Sequence, residues 1–255
     1  MMSKQARTRT RELRRAEAIA GQRQRKRLRL LGGVGAVVIV GLLVAIVAVV
    51  VNAVSKNASS KAGGQMVVPA NLSDTGAIPI GQTTAPVTLE IYLDYMCPAC
   101  GKFEKANSDE IDRLLKAGTV KVALRPISFL DRTSQGTRYS TRAANAMATV
   151  ADRAPASVWA FNTALYEHQP QEGTRGLSDG QIADLALKAG VPQDVVDRFQ
   201  QRIFEPWLAK TTETAFGSGV QGTPTVKING TVFKGDAYSA GPLTQAIEAA
   251  AGGTK

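Results

Sequence analysis

Hydrophobic and polar residues divide the chain into two parts. Residues 30–51 form an apolar run without a charge, whereas apolar residues after Pro86 recur at the spacings of strands and helices. As a helix the run would reach about 33 Å, which is enough to cross a bilayer core. We therefore predict a transmembrane helix over 30–54. A cleaved signal peptide is the alternative, because Ala53-Val54-Ser55 resembles a cleavage site, although signal peptides have a shorter apolar core of about 7–15 residues.

The pattern after the apolar run predicts alternating strands and helices. Residues 87–93 alternate between apolar and polar positions, which is typical of a strand, and Phe103 begins a helical spacing that ends at Ala117-Gly118. Residues 119–127 form a second candidate strand. Because a strand, a helix and a strand follow one another, we expect the two strands to be parallel.

The second half of this region is first helical and then β-structured. Residues 134–217 predict four helices in succession, the last of them running from Pro192 to about Phe216. Asn229-Gly230 between two apolar runs predicts a β-hairpin, and a final helix begins at Pro242. The sequence therefore predicts an α/β domain with a helical insertion at about 134–217.

Charge is concentrated before the apolar run. The chain of 255 residues carries a net charge of +10, and its first 29 residues contain eleven basic and two acidic side chains. The positive-inside rule then places the N-terminus in the cytoplasm and the C-terminal domain outside the cell membrane. No aromatic residue lies between these basic residues, so we interpret them as an orientation signal rather than as a nucleic-acid-binding segment.

Composition and charge together define the domain organisation. The hydrophobic fraction of 44% excludes a wholly disordered chain, and two cysteines exclude a disulfide-rich scaffold. We predict a basic cytoplasmic tail over 1–29, a transmembrane helix over 30–54, a small and polar linker over 55–75, and a folded domain over 76–255.

Both cysteines lie in the motif Cys97-Pro98-Ala99-Cys100. A structural zinc site needs about four ligands, and only His168 would remain to complete it, so we expect neither a metal nor another cofactor. The spacing is typical of dithiol–disulfide exchange, and the alternative is an inert buried pair of thiols.

The position of the motif at the start of a helix assigns different roles to the two thiols. Unpaired N–H groups and the helix dipole would stabilise a thiolate at Cys97, which we predict to be the nucleophile. Pro98 suits the first helical turn because its missing N–H is not needed there. Cys100 follows one turn later, faces inward and is predicted to be the resolving thiol.

Three features in order carry a resemblance to a known family: DYMCPACGKFE (residues 94–104), the helices that follow it, and GVQGTPTVKING (residues 219–230). From about Pro86 to Ala251 the chain resembles the thioredoxin fold and, more specifically, the DsbA-like thiol:disulfide oxidoreductases, in particular the membrane-anchored ones of actinobacteria. The resemblance implies a cis bond before Pro224, a supporting acid at Asp94, and main-chain pairing of Thr223 with an extended substrate peptide.

The sequence also departs from the family pattern. Ala99 stands where the strongly oxidising relatives have histidine, so we expect a less extreme thiolate. Ile91 stands where relatives often carry an acid, six positions before the first cysteine, which leaves proton transfer to Cys100 unassigned.

These features predict a membrane-anchored, extracytoplasmic thiol:disulfide oxidoreductase that introduces disulfides into unfolded exported proteins with cysteines. The resemblance implies regeneration by a quinone-linked membrane oxidase. The alternatives are a disulfide isomerase or reductase, and a non-catalytic thioredoxin-like module that binds peptides.

Overall fold

A computed structural model describes residues 66–252. The predicted tail, the predicted transmembrane helix and the first part of the predicted linker lie outside the described residues. Among the helices of 66–252, none combines the length and the apolar character that a membrane span needs.

The described chain contains five strands and seven α-helices. In chain order they are β1 (Ile78–Ile80), β2 (Val87–Leu93), α1 (Pro98–Lys116), β3 (Val120–Pro126), α2 (Tyr139–Arg153), α3 (Val158–Glu167), α4 (Asp179–Lys188), α5 (Gln193–Val196), α6 (Glu205–Gly217), β4 (Thr225–Ile228), β5 (Thr231–Val232) and α7 (Pro242–Gly252).

The strands form one mixed sheet in the order β1-β3-β2-β4-β5. Strands β2 and β3 are parallel, as their connection through a helix predicts, and β4 and β5 form the predicted antiparallel hairpin. Strand β1, which the sequence pattern did not reveal, pairs antiparallel with β3 at the sheet edge. It has three residues and contains Pro79, and such short proline-containing segments are tolerated at edges.

Helix α1 begins directly at the cysteine motif because Pro98 occupies its first turn. It ends before Gly118, whose φ of 67° is a left-handed conformation that glycine adopts without strain. The side chains of Phe103, Ile111 and Leu114 are buried on its inner face. The helix is therefore fixed against the core along its length, and the cysteines lie at its N-terminus.

Helices α2 to α6 form the helical insertion. Helix α2 is buried on most sides, and small residues such as Ala143 and Ala146 fill its crowded faces. The prediction of one continuous helix over 192–216 is wrong, because α5 is followed by a short 3₁₀ turn and α6 starts only at Glu205. Arg202 between them has a φ of 52°, and Pro206 would clash with the Arg202 carbonyl inside a continuous helix.

Residues 66–75, which the sequence assigns to the linker, contact the domain. The Asn71 side chain donates hydrogen bonds to the main-chain carbonyls of Ala151 and Asp152, at 3.2 and 3.1 Å. The N–H of Ala70 donates to the Asp152 carboxylate at 2.7 Å. This segment is therefore held at the end of α2.

Candidate active site at the N-terminus of helix α1

A buried carboxylate shapes the turn that leads into the cysteine motif. Asp94 follows β2 and is fully buried, and its side chain accepts hydrogen bonds from the Met96 N–H, the Leu130 N–H and the Ser140 hydroxyl. Its main-chain carbonyl accepts from the Cys97 N–H at 2.9 Å. Burial is the main cause that raises the pKa of Asp94 to about 6. The predicted supporting acid therefore holds the turn through both its side chain and its main chain.

Cys97 caps the N-terminus of α1, and its surroundings favour the thiolate. The hydrogen bond from Cys100 contributes most to lowering the pKa of Cys97 from 9.0 to about 6, against the opposing effect of burial. The Thr223 hydroxyl and the N–H groups of Cys100 and Ala99 lower it further. About nine-tenths of the Cys97 side chains are therefore ionised at pH 7.

Cys100 lies one turn further along α1, and its pKa shifts in the opposite direction from that of Cys97. It is 1% exposed, and burial raises its pKa well above 9.0, with the neighbouring Cys97 adding to the increase. Both cysteines carry free thiols. The lowered pKa of Cys97 and the raised pKa of Cys100 thus give the two sulfurs different protonation near neutral pH.

The Thr223-Pro224 segment brings the second motif to the first. The peptide bond before Pro224 is cis, as the resemblance implies, and the segment precedes β4. The main-chain carbonyl of Thr223 was expected to be free for a substrate peptide. This carbonyl lies 3.2 Å from the Cys97 sulfur and accepts a hydrogen bond from the Cys97 thiol when that thiol is protonated, because the sulfur at the end of α1 lies directly beside it.

The helical insertion supplies two residues that the sequence did not single out. The Gln169 side-chain amide, just after α3, donates to the main-chain carbonyls of Tyr95 and Cys97 at 3.1 and 2.9 Å. The Tyr166 hydroxyl donates to the carbonyl of Asp94 at 3.1 Å. A β-carbon at Gly101 would overlap the side-chain amide oxygen of Gln169, so a larger residue at this position would displace the Gln169 side chain. Nothing in the local sequence around Gln169 indicates this contact, which depends on tertiary folding.

A second buried acid lies on α1 itself. Glu104 is 3% exposed, and its Oε1 accepts a hydrogen bond from the Asn162 amide at 2.7 Å. Burial raises its pKa from 4.5 to about 7. Glu104 lies within the motif at residues 94–104, but helical periodicity does not indicate that this polar face of α1 is buried.

The arrangement can carry out thiol–disulfide exchange. An exchange reaction needs a thiolate as nucleophile and a second thiol that can close a disulfide, and the Cys97–Cys100 pair provides both, with Cys97 7% exposed and Cys100 1% exposed. In the described residues, no three His, Cys, Asp or Glu side chains are grouped to hold a metal ion.

Comparison with known proteins places this site in a family. The family model described as Thioredoxin matches residues 73–249. The serine/threonine-protein kinase PknE of Mycobacterium tuberculosis is 29% identical over 155 residues, covering 58% of this chain. This chain spans only 27% of the length of that kinase.

Two further matches concern proteins named for disulfide chemistry. Disulfide bond formation protein D of Bacillus subtilis is 29% identical over 161 residues, covering 61% of this chain and 68% of that protein. The solved structure of MdbA, a thiol-disulfide oxidoreductase from Actinomyces oris, has a TM-score of 0.58 and 26% identity, and covers 67% of this chain and 83% of that one. Since the family model covers more than half of the sequence, the chain belongs to the thioredoxin family.

Proposed function

We propose that this protein is a thiol:disulfide oxidoreductase that introduces disulfides into exported proteins through the Cys97–Cys100 pair. The lowered pKa of Cys97 beside a buried, protonated Cys100 is the observation that carries the proposal. A stabilised thiolate stabilises the reduced form of the pair, so the disulfide form is a better oxidant.

The reaction proceeds in two exchange steps. A substrate thiolate attacks the Cys97 sulfur of the oxidised pair, the Cys97–Cys100 bond breaks, and Cys100 leaves with the electron pair and takes up a proton. A second substrate thiolate then attacks the substrate sulfur of the mixed disulfide, and Cys97 leaves as a thiolate. The substrate is oxidised by two electrons and the pair is reduced.

Low leaving-group pKa favours the second step. Because the pKa of Cys97 is about 6, its thiolate is a good leaving group near neutral pH. The main-chain carbonyl of Thr223 lies beside the Cys97 sulfur. In the oxidised pair Cys97 has no S–H to donate to this carbonyl, so the carbonyl can pair with an extended peptide. The substrate class is therefore an unfolded, cysteine-containing segment.

The proposed location is the outer face of the cell membrane, with residues 30–54 as a single-pass anchor and residues 1–29 in the cytoplasm. The charge asymmetry around the apolar run supports this orientation. Disulfides persist in such an oxidising compartment. A quinone-linked membrane oxidase would return Cys97 and Cys100 to the disulfide, in keeping with the likeness to proteins of disulfide formation.

Oxidative refolding tests the function. The oxidised full chain is mixed with a reduced, unfolded protein that needs disulfides for activity, and recovery of that activity is followed. We expect recovery with the wild type and none with Cys97→Ser. Cys100→Ser cannot form the intramolecular disulfide, so it is mixed instead with a substrate that already contains a disulfide, where its Cys97 thiolate should displace one substrate thiolate and remain trapped as a mixed disulfide. Equal recovery with Cys97→Ser would contradict the proposal and favour a peptide-binding module. Recovery only from scrambled disulfides would favour an isomerase.

A further inference from the structure

A groove outside the cysteine motif runs between helix α1 and the helical insertion. Its volume is about 500 Å³, and residues of α1, α3 and α4 line it. Ligand-binding clefts in proteins usually have volumes of about 300–1,000 Å³. The groove is therefore large enough to accept several side chains, and the exchange steps above make no use of it.

The floor of the groove is apolar and includes an aromatic ring. Trp159 of α3 is half-buried against the core, and Ala164 and the buried Leu185 line the groove with it. An apolar floor of this kind can hold the aliphatic part of a long side chain. The face of a tryptophan ring also attracts a cation.

The rim of the groove carries more acidic than basic side chains. Asp109, Asp112 and Glu167 line it together with one lysine, Lys188. Asp112 pairs with Lys116 at the surface of α1 at 2.5 Å. Asp109 and Glu167, in contrast, make no hydrogen bond or ion pair with any residue of 66–252. Two carboxylates at the rim are therefore available to a positively charged ligand.

The nearby lysines do not neutralise these two carboxylates. Lys105 lies one turn before Asp109 on α1, but it does not line the groove, and no ion pair joins the two side chains in the described chain. Lys188 likewise makes no ion pair within that part of the chain. The groove therefore keeps a surplus of negative charge, which is complementary to a basic ligand and repels an acidic one.

One end of the groove lies next to the active site. His168 lines the groove just after α3, and the following residue, Gln169, donates its side-chain amide to the Cys97 carbonyl at 2.9 Å. Between Trp159 and His168 the chain rises about 14 Å. This length equals about four residues of an extended chain. A peptide that is disulfide-bonded to Cys97 can therefore continue into the groove.

We propose that this groove binds a basic stretch of the unfolded substrate, a few residues from the cysteine that reacts with Cys97. The aliphatic part of a lysine or arginine side chain would lie on Trp159, and its charged end would reach Asp109 or Glu167. The inference rests on the proposed exchange function. It names the class of exported segment that the enzyme oxidises best.

Peptide oxidation by the full chain tests the proposal. Two unfolded peptides are compared, each with two cysteines, one carrying lysines and the other glutamines about four to seven positions from the nearer cysteine. We expect the oxidised wild type to act on the lysine peptide with a kcat/KM about three- to tenfold higher, mainly through a lower KM. Because the carboxylates are exposed to solvent, the preference should fall below about twofold in about 0.5 M salt.

A double variant and a matched control locate the preference. Asp109→Asn/Glu167→Gln removes both available carboxylates and should reduce the ratio of the two kcat/KM values to less than about twofold. Glu110→Gln/Glu213→Gln makes the same change in net charge at exposed residues outside the groove, so it should keep the wild-type ratio. A ratio that falls equally in both double variants would overturn the proposal, because the effect would then come from overall charge.

Other results would also overturn the proposal. These are equal kcat/KM values for the two peptides in the wild type, and a preference that Asp109→Asn/Glu167→Gln keeps in full. A dimer of the wild type that the same variant dissociates in analytical ultracentrifugation would assign the groove to a second copy of the chain instead.

Failure of the exchange function gives a different result, in which the wild type oxidises neither peptide faster than Cys97→Ser does. The same two peptides with serine in place of cysteine then test the groove separately, by calorimetric titration of the full chain. Tighter binding of the lysine peptide that Asp109→Asn/Glu167→Gln abolishes supports the basic-peptide site. Equal binding of the two peptides overturns it.

Discussion

Removal of the Cys100 sulfhydryl tests the origin of the reactive thiolate. The hydrogen bond from Cys100 is the largest contribution that lowers the pKa of Cys97 to about 6. Replacement by alanine removes this donor but leaves the N-terminus of α1 in place. Replacement by serine retains a hydroxyl donor at the same position and is the matched control.

The size of the effect follows from the strength of the hydrogen bond. A hydrogen bond to a charged group contributes about 1.5–3 kcal/mol, and one pKa unit corresponds to about 1.4 kcal/mol. Cys100→Ala should therefore raise the pKa of Cys97 by about 1–2 units, to about 7–8. At pH 7 the thiolate fraction would fall from about nine-tenths to between about one-tenth and one-half.

Two assays measure this change. Thiolate absorbance in the ultraviolet gives the pKa of Cys97 in each variant, and the rate of alkylation by iodoacetamide at pH 7 gives its reactivity. We expect Cys100→Ser to remain within about one unit of the wild-type pKa, since its hydroxyl replaces the donor. A pKa near 6 in Cys100→Ala would refute the reasoning and assign the effect to the helix N-terminus instead.

Three further predictions concern stability. Burial raises the pKa of Glu104 from 4.5 to about 7, so its ionisation destabilises the native state as pH rises through this range. Urea unfolding should show Glu104→Gln to be more stable than the wild type by up to about 3 kcal/mol above pH 7, with no gain below about pH 4.5. An equal gain at both pH values would contradict this origin. Gln169→Leu removes the side-chain donor to the carbonyls of Tyr95 and Cys97, of which the Cys97 carbonyl keeps the Gly101 N–H. It should lower the free energy of unfolding by about 1–3 kcal/mol, whereas an unchanged urea midpoint would exclude that role. Because its pKa falls from 9.0 unfolded to about 6 folded, Cys97 should stabilise the reduced protein increasingly from pH 6 to pH 9, and this gain is lost as pH falls through about 6. Urea unfolding of the reduced wild type and of Cys97→Ser across this pH range measures this contribution to stability. Unfolding free energies that change in parallel with pH in the two proteins would contradict the prediction.

Local patterns predicted much of the fold. The alternation over 87–93 and the helical spacing from Phe103 gave β2 and α1, and the proline and glycine signals placed their ends correctly. The parallel pairing of β2 with β3 followed from their connection. These features depend on neighbouring residues, so sequence alone carries them.

Tertiary contacts explain what the sequence did not predict. Strand β1 is too short to show a hydrophobic period. Pro206 is the local signal for the break between α5 and α6, but the pattern around it is otherwise helical. Gln169 reaches the cysteine motif from a distant segment, and no local spacing indicates such a contact.

The two cysteines were identified from their spacing, whereas the acid beneath them was not. Glu104 falls on a helix whose apolar periodicity places polar residues toward solvent, but the packing of α3 covers it and its partner Asn162. The position of Glu104 four residues after Cys100 was the sequence signal for its burial, because that spacing places both side chains on the same face of α1.

The reduction potential of the Cys97–Cys100 pair tests the central claim most directly. The full chain is equilibrated with glutathione buffers, and the reduced fraction is counted by alkylation and mass measurement. The lowered pKa of Cys97 predicts a potential well above the value of about −270 mV for thioredoxin, toward that of about −120 mV for DsbA. A potential at or below about −270 mV would contradict an oxidant and identify the pair as a reductant.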